Sequence, residues 1–130
     1  PNDGFEPVRP KWLPVTPSIK KRLIQAVHDT PLTFGTVWDN SFDWAFYMNP
    51  KPDVIYFMTD GNSNKDFQGL EIIKQKKGRT KIYTIGYGAP AGAKEPLELI
   101  AAMTGGKSKF VEMDEIREME KNIDNKKVLN

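Results

Sequence analysis

Asp60 and Thr36 are the two residues of this chain whose type and position best suit the binding of a hard cation. Asp60 stands in Thr59-Asp60-Gly61, directly after a continuous apolar run that predicts a buried strand. Ligands of open parallel sheets bind at the carboxyl ends of strands, and Mg²⁺ prefers oxygen ligands. Each residue also has an ordinary local role, because an aspartate can start a turn and a loop threonine can hydrogen-bond its own backbone. Taken singly, the two residues leave both roles open.

A glycine-rich segment after the second apolar run, residues 86–91, fits the G-x-G-x-x-A pattern of dinucleotide sites, with Glu112 at the end of the following strand. Such a site needs a helix that begins within the glycines, so that its N-terminus faces the pyrophosphate. The helix signal comes only at Glu95, after Pro90 has interrupted the segment. The glycines are therefore expected to form a tight loop, and no nucleotide is expected.

Composition excludes several classes of site. The 130 residues and 14.8 kDa suit one domain, and the net charge of +2 is small for a nucleic-acid binder, so no nucleic acid is expected. The chain has no cysteine and a single histidine, His28, which excludes disulfides, thiolate metal sites and multi-histidine zinc sites within one chain. No apolar run is long enough to span a membrane, and the first ten residues do not form a signal peptide.

The elements that must position these residues alternate from residue 53 onward. Apolar runs predict three strands, at 53–59, 81–85 and 108–112, and helical periodicity predicts a helix after each. The alternation predicts an α/β fold, a Rossmann-like doubly wound parallel sheet with flanking helices and with the strands in that spatial order.

The part before residue 53 is predicted to hold helices and loops. Residues 1–15 are proline-rich and predicted to be extended, and a helix is predicted from Thr16-Pro17 to near Asp29. A second, aromatic-rich helix is predicted over 42–48, with candidate caps at 39–41. The partial domain is placed at 16–123, followed by a polar tail at 124–130.

The first strand poses a problem for the predicted sheet. Its residues are apolar without interruption, which predicts burial on both faces and a central place in the sheet. Only strand 81–85 can pair with it, and an apolar open edge is a hazard. We expect another chain, the loop of residues 1–15 or upstream sequence to cover this edge. Without such cover we expect self-association through strand 53–59 or marginal stability.

Four segments, in order and at matching spacing, resemble the von Willebrand factor type A domain. They are Thr33-Phe-Gly-Thr-Val-Trp-Asp39, Lys51-Pro-Asp-Val-Ile-Tyr-Phe-Met-Thr-Asp-Gly61, and residues 82–88 and 97–106. The resemblance covers about residues 12–123. Over this range the chain is similar to the carboxyl-terminal portion of the domain in bacterial members. It implies the doubly wound sheet of that family, with a metal-ion-dependent adhesion site at the top.

The resemblance also implies roles for individual residues. Thr36 matches the family's loop threonine and Asp60 its last aspartate, which makes both metal ligands. Support of the ligand face is expected from the neighbouring residues Gly35, Trp38, Gly61, Asn62 and Ser63. The family's Asp-x-Ser-x-Ser loop is absent. Binding of Mg²⁺ is therefore expected only if a missing N-terminal half of the domain is supplied.

The expected function is a protein–protein interaction or adhesion module that binds a protein ligand at the top of the sheet, and not an enzyme. The alternative is a nucleotide-binding or hydrolytic α/β domain that uses Asp60 and the 86–91 loop. A third interpretation is a structural fragment without a ligand. The chain itself leaves its compartment open, and the resemblance is compatible with a parent protein at the cell surface or in the periplasm.

Overall fold

The computed structural model describes residues 10–31, 38–63 and 68–129, with side chains through Lys127. Helices and strands alternate as predicted. In chain order they are α1 (Pro17–Asp29), α2 (Asp39–Phe46), β1 (Val54–Thr59), α3 (Gly69–Lys76), β2 (Lys81–Tyr87), a 3-10 turn (Ala91–Ala93), α4 (Lys94–Thr104), β3 (Ser108–Val111) and α5 (Met113–Leu129).

The three strands form one parallel sheet in the order β1-β2-β3. Val54 pairs with Lys81 at the start of the first pair, and Thr84 pairs with Ser108 at the start of the second. The predicted fold class, strand order and direction are confirmed. Among the described residues β1 pairs only with β2, so its other edge is open, as expected.

The two faces of the sheet differ in their cover. One face packs under helices and carries the alternate residues Ile55, Phe57, Thr59, Ile82, Thr84 and Gly86. The opposite face, called here the open face, carries Val54, Tyr56, Met58, Lys81, Tyr83, Ile85, Tyr87, Lys109 and Val111, and of these Val111 is buried. Tyr56 is 74% exposed and Met58 is 60% exposed. The prediction that strand 53–59 is buried on both faces is therefore wrong.

The covered face forms the core of the protein with three helices. α4 packs on β2 and β3, α3 packs against α4, and α2 packs against α3. Phe57 of β1 joins α2 to the sheet, because its ring lies 4.7 Å from that of Phe42 and 5.3 Å from that of Trp38 between centroids. Burial of these apolar side chains is the main stabilising contribution to such a fold.

The connection from α4 to β3 is fixed by two close contacts with β2. The backbone N–H of Ile82 donates to the Thr104 hydroxyl over 2.9 Å, and Thr104 is buried. Gly106 approaches the same strand so closely that a Cβ there would lie 1.9 Å from the Ile82 carbonyl oxygen. A larger residue than glycine at position 106 would therefore push the connection between α4 and β3 away from β2.

Helix ends agree with the sequence only in part. The Thr16 hydroxyl accepts from the Ile19 N–H and caps α1, and Gly105 ends α4 with φ 76°. The predicted caps of α2 are wrong, because residues 39–41 lie within the helix and Trp38 occupies the N-cap position, where its side chain does not cap the helix.

The helices at the two ends of the chain pack little. No residue of α1 is buried, and Ile116 is the one residue of α5 before position 128 that is. α5 continues to Leu129, so residues expected to form a polar tail are helical. The chain has 10518 Å² of accessible surface, against about 7,000 Å² for a compact protein of its mass. Much of its apolar surface is thus available for contacts.

The three tryptophans have different environments. The Trp12 Nε1–H donates to the Pro50 carbonyl over 2.8 Å, which ties the N-terminal segment close to the start of β1. Trp44 is half exposed and not part of the core, whereas Trp38 is 1% exposed. Within the part of the chain that the structure describes, no helix has the length and apolar character needed to cross a bilayer.

Candidate functional site

The loops at the carboxyl ends of β1 and β2 form the candidate site. Thr59 ends β1 and is followed by Asp60, whose side chain is exposed. β2 ends at Tyr87, and the chain continues through Gly88 to the 3-10 turn. Since parallel strands end at the same edge of a sheet, both loops lie at one end of the molecule.

A hydroxyl turn shapes the backbone at Asp60. The Gly61 N–H donates to the Thr59 hydroxyl over 3.2 Å, and that hydroxyl lies 3.3 Å from the Gly61 carbonyl oxygen. Thr59 is buried, so the turn rests on a fixed side chain. Asp60, between the two, is thereby presented to solvent.

The loop after β1 contacts the loop after β2 through Asn62 and Gly92. A Cβ on Gly92 would lie 3.1 Å from the Asn62 Oδ1. The Asn62 side chain therefore rests against the backbone of the 3-10 turn. This contact joins the ends of two strands into one surface that includes Asp60.

Gly86 and Gly88 are required by packing. Gly86 lies within β2, and a Cβ there would lie 2.6 Å from the Phe110 ring. Gly88 has φ 62°, and a Cβ there would lie 3.0 Å from Met113 and 3.1 Å from Ile116 at the start of α5. α4 begins only at Lys94. This arrangement agrees with a packing loop and lacks the helix N-terminus that a phosphate cradle needs.

Asp60 has the chemistry of a cation ligand. Its carboxylate makes no hydrogen bond or ion pair with any residue that the structure describes, so its oxygens are available. Mg²⁺ takes near-octahedral oxygen coordination. Over residues 10–31, 38–63 and 68–129, no three histidine, cysteine or acidic side chains come together as a metal-binding group. Asp60 can therefore contribute one carboxylate ligand to such an ion.

The other predicted site residues fall into three groups. Thr36 and Gly35 lie outside the described residues, so the predicted closeness of Thr36 to Asp60 stays a prediction. Gly61 and Ser63 are half-buried beside Asp60, and Asn62 is exposed. Trp38, expected to support the ligand face, lies in the core against Phe57.

His28 and the basic run at the end of α3 lie on the surface. His28 is exposed in the last turn of α1. In the basic run at the end of α3, Lys76 forms an exposed ion pair with Asp43 over 2.8 Å. Both features belong to a solvated surface.

The open face is a feature that the sequence analysis missed. A groove of about 400 Å³ lies on it, and its lining residues are Tyr56, Tyr83, Thr84, Ile85, Lys107, Ser108 and Lys109. The signal in the sequence was a period of two, with aromatic and lysine residues at alternate positions of consecutive strands. The uninterrupted apolar run of β1 concealed it.

Comparison with known proteins gives no assignment. No protein-family model matches the chain, and no curated protein matches it at a significant level.

Proposed function

We propose that this chain is part of a von Willebrand factor type A-like module that binds a protein ligand at the carboxyl end of its sheet. The observation that carries the proposal is Asp60, an exposed carboxylate without a protein partner among the described residues, at the end of β1. Strand ends of parallel sheets are where such folds bind ligands.

Asp60 acts as a metal ligand in this proposal, directly or through water. Thr36 supplies a hydroxyl ligand, and Gly61, Asn62 and Ser63 hold the shape of the turn. When bound, Mg²⁺ would offer an open coordination position to a carboxylate of the protein ligand. Binding needs no covalent step, so the proposed activity is adhesion or protein interaction and not catalysis.

One or two ligands are too few to hold Mg²⁺ firmly, because water would have to fill the remaining positions. Full affinity therefore depends on oxygen ligands from an N-terminal half or from another chain. The contact between Asn62 and Gly92 supports the proposal, because it brings the loop that carries Asp60 beside the loop that follows β2.

A nucleotide-binding enzyme is the weaker alternative. Its glycine loop would have to receive phosphate, whereas Gly86 faces the Phe110 ring and Gly88 lies under α5. No nucleic-acid partner is included in the proposal, because the net charge is only +2.

Calorimetric titration with Mg²⁺ tests the proposal on the chain as it is. We expect millimolar or undetectable affinity, with any binding heat lost in Asp60→Ala. Asp53→Ala is the matched control, because Asp53 is an exposed aspartate at the opposite end of the same strand. A micromolar affinity abolished by Asp60→Ala would contradict the incomplete site, and binding heat retained in Asp60→Ala would contradict the role of Asp60.

A further inference from the structure

The charges of this protein are segregated along the direction of its strands. At the carboxyl end of the sheet, exposed acids occupy the loops and first helical turns that follow the strands: Asp60, Glu95, Glu112, Asp114 and Glu115. Two cations, Lys94 and Arg117, lie among them. The opposite end, where the strands begin, carries exposed cations and is called here the basic end. The small net charge of the chain therefore conceals two surfaces of opposite sign.

Hydrogen bonds hold the segments of the basic end together. The Thr80 hydroxyl donates to the Pro52 carbonyl, which places the turn before β2 against the residues before β1. The Lys51 ammonium donates to the Lys76 carbonyl over 2.8 Å and so reaches the last turn of α3. The cations of this end therefore belong to one connected surface.

Cations outnumber acids at the basic end. The cations lie beside Trp12, before β1, and from the last turn of α3 to the start of β2; they are Lys11, Lys51, Lys74, Lys76, Lys77, Arg79 and Lys81. All are exposed except Lys77, which is half-buried. Within the described residues, the acids of this end are Asp43, which pairs with Lys76, and the exposed Asp53. An excess of positive charge therefore remains.

Exposed apolar side chains lie at the same end as these cations. The Trp12 Nε1–H donates to the Pro50 carbonyl over 2.8 Å and holds the N-terminal segment beside the residues before β1. Trp12 and Leu13 are about half exposed, and Val15 is 95% exposed. Tyr47, at the C-cap of α2 and shortly before Pro50, is 44% exposed. The basic end therefore combines lysines with aromatic and aliphatic surface.

The helix that follows the N-terminal segment carries charge of the same sign. The first half of α1 has the exposed cations Lys20, Lys21 and Arg22. No acid occurs in residues 10–28. A surface that binds the N-terminal segment would therefore meet further positive charge from α1.

This combination of side chains matches the surface of an anionic lipid bilayer. Clusters of lysine and arginine are attracted to anionic headgroups, tryptophan and tyrosine favour the interface, and aliphatic side chains enter the acyl boundary. A nucleic acid would use the cations and the aromatic rings, but its phosphates and bases offer no apolar environment to Leu13 and Val15. The exposed aliphatic residues therefore favour the bilayer.

We propose that the basic end binds the surface of an anionic lipid bilayer, with Trp12, Leu13 and Val15 at the headgroup boundary. The contact is peripheral, since none of the described helices is long and apolar enough to cross a bilayer. Asp60 lies at the other end of β1 and faces away from the lipid. The membrane contact does not use Asp60, and its test is independent of the proposed cation site.

Co-sedimentation of the full chain with lipid vesicles tests this contact. The vesicles contain either phosphatidylcholine alone or three parts of phosphatidylcholine to one part of phosphatidylglycerol, in a buffer with EDTA. We expect binding to the mixed vesicles that is at least about tenfold stronger than binding to phosphatidylcholine alone. Salt at about 0.5 M should release the chain, because the Debye length then falls to about 4 Å.

Charge-reversal variants locate the contact on the protein. Arg79→Glu should weaken binding to the mixed vesicles at least about fivefold, because it removes one attracted cation and adds a repelled carboxylate. Lys94→Glu is the matched control and should bind as the wild type does, since Lys94 is an exposed cation at the carboxyl end. Asp60→Ala should also bind normally. A thermal melt of each variant shows that it is folded.

Two further measurements test the apolar part of the contact. Leu13→Ser should weaken binding about threefold, whereas Leu99→Ser, at an equally exposed apolar residue of α4, should leave it unchanged. In a Trp44→Phe variant, Trp12 is the remaining exposed tryptophan, because Trp38 is buried. Its emission should shift to shorter wavelength when mixed vesicles are added.

Four results would overturn the proposal. They are absence of binding to the mixed vesicles, equal binding to both lipid compositions, equal losses in Arg79→Glu and Lys94→Glu, and an emission of Trp12 that vesicles do not change. A labelled oligothymidylate is the competing probe, because exposed aromatic residues and lysines also suit single-stranded nucleic acid. Binding of this probe without binding to vesicles would assign the basic end to nucleic acid instead.

Discussion

Tyr56 and Tyr83 stack on each other across two neighbouring strands, with ring centroids 5.4 Å apart and ring planes 22° from parallel. The two residues are register partners, so their side chains project from the same face of the sheet. A pair of this kind contributes about 0.5–1.5 kcal/mol beyond the burial of its area. The stacked pair leaves Tyr56 largely exposed. An aromatic surface therefore lies on this face of the sheet, where a covering helix would be expected.

Gly106→Ala should lower the free energy of unfolding by about 3 kcal/mol, because the new Cβ would meet the backbone carbonyl of Ile82 and the strand cannot move aside cheaply. Gly92→Ala is the control, with an expected loss under about 1 kcal/mol, since its Cβ would meet only the exposed side chain of Asn62. Urea denaturation measures both values. Equal losses in the two variants would show that the close approach at Gly106 is wrong.

Thr104→Val keeps the shape of the side chain but removes the hydroxyl that accepts from the Ile82 N–H. A buried donor without an acceptor costs about 1–3 kcal/mol, which should appear as reduced unfolding free energy and faster amide exchange at Ile82. In the control, Thr30→Val, an exposed hydroxyl bond to Ala26 is lost, and the change should stay within about 0.5 kcal/mol. Unchanged exchange at Ile82 in Thr104→Val would refute this bond.

Trp38→Ala should destabilise the chain by about 3–5 kcal/mol, because Trp38 fills the core between α2 and β1. Trp44→Ala should cost less than about 1 kcal/mol, since half of that side chain is already in solvent. Chemical denaturation followed by circular dichroism gives both values. A stable, fully folded Trp38→Ala variant would mean that Trp38 does not belong to the core.

The alternation of strands and helices could be predicted from the sequence, because each strand and each helix has its own local signal. The apolar run of 53–59 and the strand-ending Asp60-Gly61 placed β1, and Thr16-Pro17 placed the start of α1. The open edge of β1 could be predicted as well, since no other segment before residue 53 has the character of a strand.

The cover of the sheet could not be predicted, because it depends on where amphipathic helices dock. α1 has the apolar periodicity of a covering helix, yet none of its residues is buried. The run in β1 was apolar on both faces, and only tertiary contacts distinguish Phe57, under α2, from Tyr56, in solvent. At the candidate site, the contact between Asn62 and Gly92 joins residues far apart in sequence and has no local signal.

The most direct test of the proposed cation site is paramagnetic line broadening with Mn²⁺, which favours the same oxygen ligands as Mg²⁺. In ¹⁵N-labelled chain, substoichiometric Mn²⁺ should broaden the amide signals of Asp60, Gly61 and Asn62 first. Asp60→Asn should abolish this pattern, and Asp53→Asn should leave it intact. Broadening centred elsewhere, or retained in Asp60→Asn, would contradict Asp60 as the metal ligand of this site.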